Sequence, residues 1–129
     1  MIRRLEHGAI WLADLNPRRG TEPGKTRPVL IIQNQALLDA VHPSTLIIPL
    51  TTSLIEDAEP LRLRVVARES LDHDSDLLID QVRAIDNQRL MKGPLALIRT
   101  EEMERIYRAI LEVMGIDFDQ RVIFSIHES

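Results

Sequence analysis

The sequence predicts an α+β fold, a small and strongly bent antiparallel sheet or partly open barrel closed by one helix near the C-terminus. Three observations lead there. Short apolar runs recur between turns rich in Gly, Pro, Asn and Asp. One longer stretch repeats its apolar residues with the period of an amphipathic helix. The chain has 129 residues, 44% hydrophobic and 28% charged, enough for a single packed core and ordinary for a globular domain.

The elements follow in order. GAIWLADL, from Gly8 to Leu15, is a first strand ended by Asn16-Pro17. A loop rich in Gly and Pro leads to a second strand from Pro28 to Gln33, in which Val29, Leu30, Ile31 and Ile32 read as buried on both faces. One helical turn is expected around Ala36 to Asp39, then a third strand from Thr45 to Thr51 whose Pro49 points to a sheet edge or a bulge. LRLRV, from Leu61 to Val65, alternates apolar and basic residues as a half-exposed strand does, with Leu61, Leu63 and Val65 facing inward. After the acidic turn DHDSD, Leu77 to Ile85 form a strand that is apolar except for Asp80, Gln81 and Arg83. Met103, Ile106, Tyr107, Ile110, Leu111 and Met114 then mark one helix face behind a Thr100 N-cap, with Glu101, Glu102 and Glu104 at its positive end and Gly115 placed to stop it. Residues 1–115 form the domain; 116–129 are an extension of unknown role, with a short strand expected through Val122, Phe124 and Ile126.

Composition excludes several classes of function. Without cysteine there is no disulfide framework, thiol nucleophile or thiolate metal site, which fits a reducing compartment. Glu6, His7 and Asp14 interrupt any targeting segment behind Arg3 and Arg4, and no stretch is long and apolar enough to span a membrane, so a cytoplasmic protein is expected. The net charge of -4 argues against a protein that coats nucleic acid indiscriminately. Between Pro17 and Arg27, however, Arg18, Arg19, Lys25 and Arg27 stand against Glu22 alone. This is either a solvated loop or a local attractor for a polyanion.

Familiar motifs fail on spacing. GTEPGKT has three residues between its glycines where a phosphate-cradling P-loop needs four, and a strand follows it where a P-loop needs a helix. DHDSD places Asp72, Asp74 and Asp76 like the start of a calcium loop, but Leu77 and Arg83 occupy the positions of the required glycine and bidentate glutamate. It reads as an exposed acidic turn. His7, His42, His73 and His127 show no ligand spacing and read as surface residues, and no serine sits in a nucleophile elbow. No metal and no cofactor are expected.

Phosphate chemistry remains. If the second and third strands pair antiparallel, Arg27 lies opposite Thr51. A guanidinium and a hydroxyl would then meet beside the basic loop, a pair suited to a phosphodiester exchanging ligands. The competing reading is an edge arginine and a threonine that merely suits a strand.

At these residues the sequence resembles the MazF/PemK family of toxin endoribonucleases. The likeness is carried by GAIWLADLNPRRGTEPGKTRPVLIIQN, LIIPLTTS, LLIDQVRAIDNQRL and the closing helix, from Gly8 to Gly115. The resemblance implies an SH3-like barrel of the kind shared with CcdB gyrase poisons, a homodimer, and metal-independent cleavage of single-stranded RNA or mRNA at short sequences. It places the family's catalytic arginine on Arg27 and its threonine on Thr51. Arg18, Arg19, Thr21, Glu22, Lys25, Thr52, Asp80 and Gln81 are expected to contact substrate, with Asp80 either a general base or a reader of RNA bases beside Gln81. Of the Asp, Arg and His used by the PemK branch only the Asp is matched, by Asp80; Leu78 and Thr21 hold the other positions. The family also implies a cognate MazE-like antitoxin with an acidic tail. Two alternatives stay open: a CcdB-like gyrase-binding poison, whose Trp-Gly-Ile end is not matched by Ile-His-Glu-Ser here, and an inactive RNA-binding domain.

Overall fold

The protein is described by a computed structural model over residues 4–117. Its elements are β1 (Ala9–Asp14), β2 (Thr26–Ile31), α1 (Gln35–Asp39), β3 (Ser44–Thr51), β4 (Arg62–Val65), β5 (Ser75–Leu78), β6 (Arg83–Asp86), β7 (Leu90–Leu97) and α2 (Thr100–Val113). The seven strands form one antiparallel sheet in the order β4-β5-β3-β2-β1-β7, with β6 also on β3.

Alternation along the strands splits the apolar residues between two cores. Ile10, Leu30, Ile48, Leu50, Leu63, Val65, Leu77 and Ala96 share one with Met103, Ile106 and Ala109 of α2. Trp11, Ala13, Val29, Ile31, Leu38, Ile47, Ile85 and Leu90 form the other, on the opposite face. The first core draws on β4 and β7, the two ends of the strand order, and the Ser70 N–H, in the loop after β4, donates to Leu95 O of β7 at 2.8 Å. Ends that meet in this way require a sheet curled strongly around α2, the partly open barrel expected from the sequence.

Several expectations are corrected. Pro49 lies in the middle of the sheet, paired with Val29, where the other side of β3 changes partner from β6 at Ile47 to β5 at Leu50. Its missing N–H falls in that gap. The long strand expected from Leu77 to Ile85 is broken by a 3₁₀ turn, Ile79–Gln81, so Asp80 and Gln81 are turn residues beside β3. β7, with its Gly93 and Pro94, lacks the alternation that would have marked it in the sequence. Leu61 is 50% exposed, because β4 begins at Arg62 and only Leu63 and Val65 face the core. Asp72 and Asp74 are exposed but Asp76 is buried inside β5. The strand expected through Val122, Phe124 and Ile126 lies outside the described residues.

In α2 the buried residues are Met103, Ile106 and Ala109, whereas Tyr107 and Met114 of the expected stripe are exposed. Arg99, one residue before Thr100, stands at the N-cap, where the Glu102 carboxylate accepts its N–H at 3.1 Å. The helix stops at Gly115, in a left-handed conformation (φ 79°). His7 is half-buried and joins the barrel to this helix: its Nδ1 donates to Gln33 O at 2.9 Å, which leaves Nε2 to accept from the Tyr107 hydroxyl.

Glu102 also ties α2 to the loop after β4 through a bidentate pair with Arg68, at 2.6 and 2.8 Å. The hydrogen bond from Arg68, opposed by burial and helped by the Arg99 N–H, holds the Glu102 carboxyl at about 2. A folded-state value below the ordinary one stabilises the fold above pH of about 4.5, and that contribution is lost as pH falls towards 2. Glu102→Gln should therefore cost about 1–2 kcal/mol at pH 7, with a Tm fall of roughly 4–8 °C. Thermal melts should show the gap to the parent narrowing between pH 7 and pH 3; a gap that does not change with pH would contradict this account.

Candidate active site

The β2–β3 ladder runs Ile31↔Ile47, Leu30↔Ile48, Val29↔Pro49 and ends there; the same register carried two residues further would set Arg27 against Thr51. Both fall on the face of Val29, Ile31 and Ile47, at the rim of the second core. Arg27 is anchored twice: its Nε donates to Gly24 O at 2.9 Å and its Nη1 to Leu50 O, across the strands, at 3.3 Å. Among the described residues Nη2 makes no hydrogen bond. Partial burial, then the nearby charge of Arg18, lowers the Arg27 pKa from its ordinary value. Burial strips water from the cation and Arg18 repels it, two costs that a bound anion would offset. Thr51 is half-buried, and its Oγ1 accepts the Ser53 N–H at 3.1 Å. That bond takes one acceptor position of the hydroxyl and leaves its proton to be donated elsewhere.

The basic loop is a built structure. Lys25 adopts a left-handed conformation (φ 67°), from which its N–H reaches Asn16 Oδ1 at 2.8 Å and its carbonyl accepts the Leu15 N–H at 2.9 Å. Gly24 lies against Arg18 so closely that an added Cβ would sit 2.6 Å from the Arg18 Cβ. Arg18, Arg19, Thr21 and Lys25 are exposed on this loop, while Glu22 turns back to Arg83 of β6, with Oε2 3.6 Å from Nη1. Arg83 Nη1 is buried and makes no hydrogen bond among the described residues.

Arg27 thus joins the loop bearing Arg18 and Gly24 to Leu50, the residue next to Thr51 on β3. Thr52 follows Thr51 and is exposed. Asp80 is exposed and Gln81 half-buried in their turn beside Ile48 and Pro49, and neither bonds to Arg27 or Thr51 among the described residues. Sequence reasoning gave no role at the site to Arg83, Arg62 or Asp76, although Arg83 and Asp76 were noted as a polar residue of an apolar run and as part of an acidic turn. Asp76 accepts Arg64 Nε at 2.7 Å, Ile55 N–H at 3.0 Å and Arg62 Nη1 at 3.3 Å. The basic positions of LRLRV, set two residues apart and paired with a strand containing one acid, were the available signal.

The family model for the PemK-like, MazF-like toxin of type II toxin-antitoxin systems matches residues 6–114. The chain belongs to that family. It is 32% identical over 118 residues to the Endoribonuclease MazF of Staphylococcus epidermidis, covering 91% of this chain and 94% of the relative. Its fold is similar to that of MazF from Deinococcus radiodurans, with a TM-score of 0.74 at 18% identity, over 89% of this chain and all (100%) of that one. It is also similar to an endoribonuclease in complex with its cognate antitoxin from Mycobacterial species, with a TM-score of 0.67 at 17% identity, covering 91% and 99% of the two chains.

The close approach at Gly24 makes the shape of the toxin's basic loop testable by itself. Gly24→Ala must displace Arg18, so trypsin should cut after Arg18 or Arg19 several-fold faster than in the parent, with Tm changed by less than about 2 °C because the loop lies outside both cores. Unchanged cleavage kinetics would show that the loop is not held by this contact.

Proposed function

We propose that this MazF-type toxin is an endoribonuclease that cleaves single-stranded RNA, mRNA included, at a short sequence without a metal ion. The observation that carries the reading is the bond from Arg27 Nη1 across to Leu50 O, the residue before Thr51, in a chain of this family and beside a loop of exposed cations.

In the proposed reaction the ribose 2′-oxygen attacks the adjacent phosphorus, the bond to the 5′-oxygen breaks, and the products are a 2′,3′-cyclic phosphate and a 5′-hydroxyl. The proton leaves the 2′-hydroxyl for a base, and solvent water delivers another to the departing 5′-oxygen. Arg27 serves the negative charge that grows on the equatorial phosphate oxygens, through Nη2 and as a nearby cation. Its guanidinium stays protonated, so it acts by electrostatic stabilisation and not as a proton donor. Thr51 adds a neutral donor to the same oxygens. Arg18, Arg19 and Lys25 bind flanking phosphates, while Thr21, Glu22, Thr52, Asp80 and Gln81 supply the polar groups that distinguish bases; Asp80 is exposed enough to take the 2′-hydroxyl proton instead. The toxin acts in the cytoplasm as a homodimer and is silenced by a MazE-like antitoxin whose acidic tail occupies the same basic groove. The antitoxin-bound endoribonuclease of similar fold supports that partner.

Arg27→Ala and Thr51→Ala should each lower the cleavage rate about 10²-fold or more while leaving the fold intact, measured on a mixed RNA pool with the ends mapped. Cleavage at the parent rate by either variant would misplace the site. Activity should persist in excess EDTA, leave 5′-hydroxyl ends, and fail on RNA with a 2′-deoxy ribose at the cut. Loss on chelation with recovery on adding a divalent ion would overturn the mechanism.

Reversing Arg18 and Arg19 to Glu should weaken binding of uncleavable RNA and of an acidic antitoxin peptide together, each more strongly at low salt than at high salt. RNA and antitoxin bound simultaneously, with no mutual loss of affinity, would place neutralisation on another surface.

A further inference from the structure

We infer that Asp76 is a positioning residue for RNA cleavage: through Arg62 and Ser53, its buried carboxylate sets the direction in which Thr51 offers its hydroxyl. The inference rests on the catalytic reading of Thr51 given above, and adds a residue outside the expected contact set.

Asp76 is 1% exposed and is the direct cross-strand neighbour of Thr51 on one side and of Arg64 on the other. One carboxylate oxygen accepts Arg64 Nε at 2.7 Å; the other accepts the Ile55 N–H at 3.0 Å and Arg62 Nη1 at 3.3 Å. The same Arg62 nitrogen donates to Ser53 O at 2.8 Å, and the Ser53 N–H donates to Thr51 Oγ1 at 3.1 Å. Three hydrogen bonds, joined through the Ser53 backbone, therefore link Asp76 to the hydroxyl. Burial pushes the Asp76 carboxyl up, but the bonds from Arg64, Ile55 N–H and Arg62 outweigh it and hold the group below its ordinary range, so it is ionised at neutral pH.

The other side-chain ties of this segment, Arg64 to Glu56 at 3.0 Å and Arg105 to Glu59 at 2.8 Å, lie further along the chain than Ser53. Thr52 to Asp57 are all exposed, and the chain from Ile55 to Glu59 borders a cleft of about 430 Å³ floored by Arg62, Arg64 and Asp76. A loop with no apolar anchor takes its shape from its hydrogen bonds. Remove the carboxylate and Ser53 is free to turn, so the Thr51 hydroxyl loses the bond that selects its orientation. Displacement of a reacting group by about 1 Å can cost 10²-fold in rate, whereas binding of RNA through the basic loop does not use this network.

Asp76→Asn keeps the shape but cannot accept at all three bonds. In single-turnover cleavage of an RNA whose cut site has been mapped, it should lower the rate by about tenfold or more. Affinity for the same RNA with a 2′-deoxy ribose at the cut should stay within about twofold of the parent. In a Thr51→Ala background the same substitution should change the residual rate by less than about twofold, because the group it positions is gone. If Asp76→Asn fails to fold, Arg62→Met, which removes the one nitrogen shared by Ser53 O and Asp76, should show the same dependence on background. An equal loss with and without Thr51, or cleavage at the parent rate by the folded variant, would overturn the inference alone. Thr51→Ala cutting at the parent rate would overturn the catalytic reading and this inference with it.

Discussion

The antiparallel register between β2 and β3 is the constraint on which the rest of the molecule depends. With Leu30 opposite Ile48, both side chains enter the core under α2; with Ile31 opposite Ile47 and Val29 opposite Pro49, the alternate residues fill the second core. A slip of one residue would exchange the two faces and carry Arg27 towards the interior beneath α2. Burying a guanidinium there without an anion would cost several kcal/mol. Apolar packing on both faces thus fixes, at the open end of the same ladder, where a cation and a hydroxyl meet. The chemistry proposed here is placed by hydrophobic residues that take no part in it.

Electrostatics then separates the loops by role. The net charge of the chain is -4, yet Arg18, Arg19 and Lys25 are exposed on one loop whose shape is held by Asn16 and by the close contact of Gly24 with Arg18. On the other side of β3, Arg62 and Arg64 are committed to Asp76, and Arg64 also to Glu56 at 3.0 Å. Those arginines are neutralised within the fold and serve to shape a loop, whereas the first set faces solvent and is available to a polyanion. Arginines of β4 and arginines of the basic loop thus differ in role because the first have anions in the fold and the second have few.

Much of this was legible in the sequence where the pattern is local. The apolar runs of β1, β2 and β3, the period of α2 and its stop at Gly115 follow from spacing alone, and the opposition of Arg27 and Thr51 needed only one assumed pairing. What escaped was non-local. Asp80 and Gln81 looked like anomalies in one strand because nothing in LLIDQVRAID says that the chain leaves β5 and returns as β6. Asp76 resembled its exposed neighbours Asp72 and Asp74 because its partners, Arg62, Arg64 and Ile55, come from a different hairpin arm. Tyr107 fell on the apolar stripe of α2 but is drawn to the helix flank by His7, a hundred (100) residues away in the chain.

The central claim, that Arg27 and Thr51 together receive the phosphate to be cleaved, is tested most directly by a crystal structure of the protein with an RNA carrying a 2′-deoxy ribose at its mapped cut. The account predicts the oxygens of that one phosphate at hydrogen-bonding distance, about 2.7–3.2 Å, from both Arg27 Nη2 and Thr51 Oγ1. A scissile phosphate bound on another face, with Arg27 and Thr51 left to solvent, would contradict it.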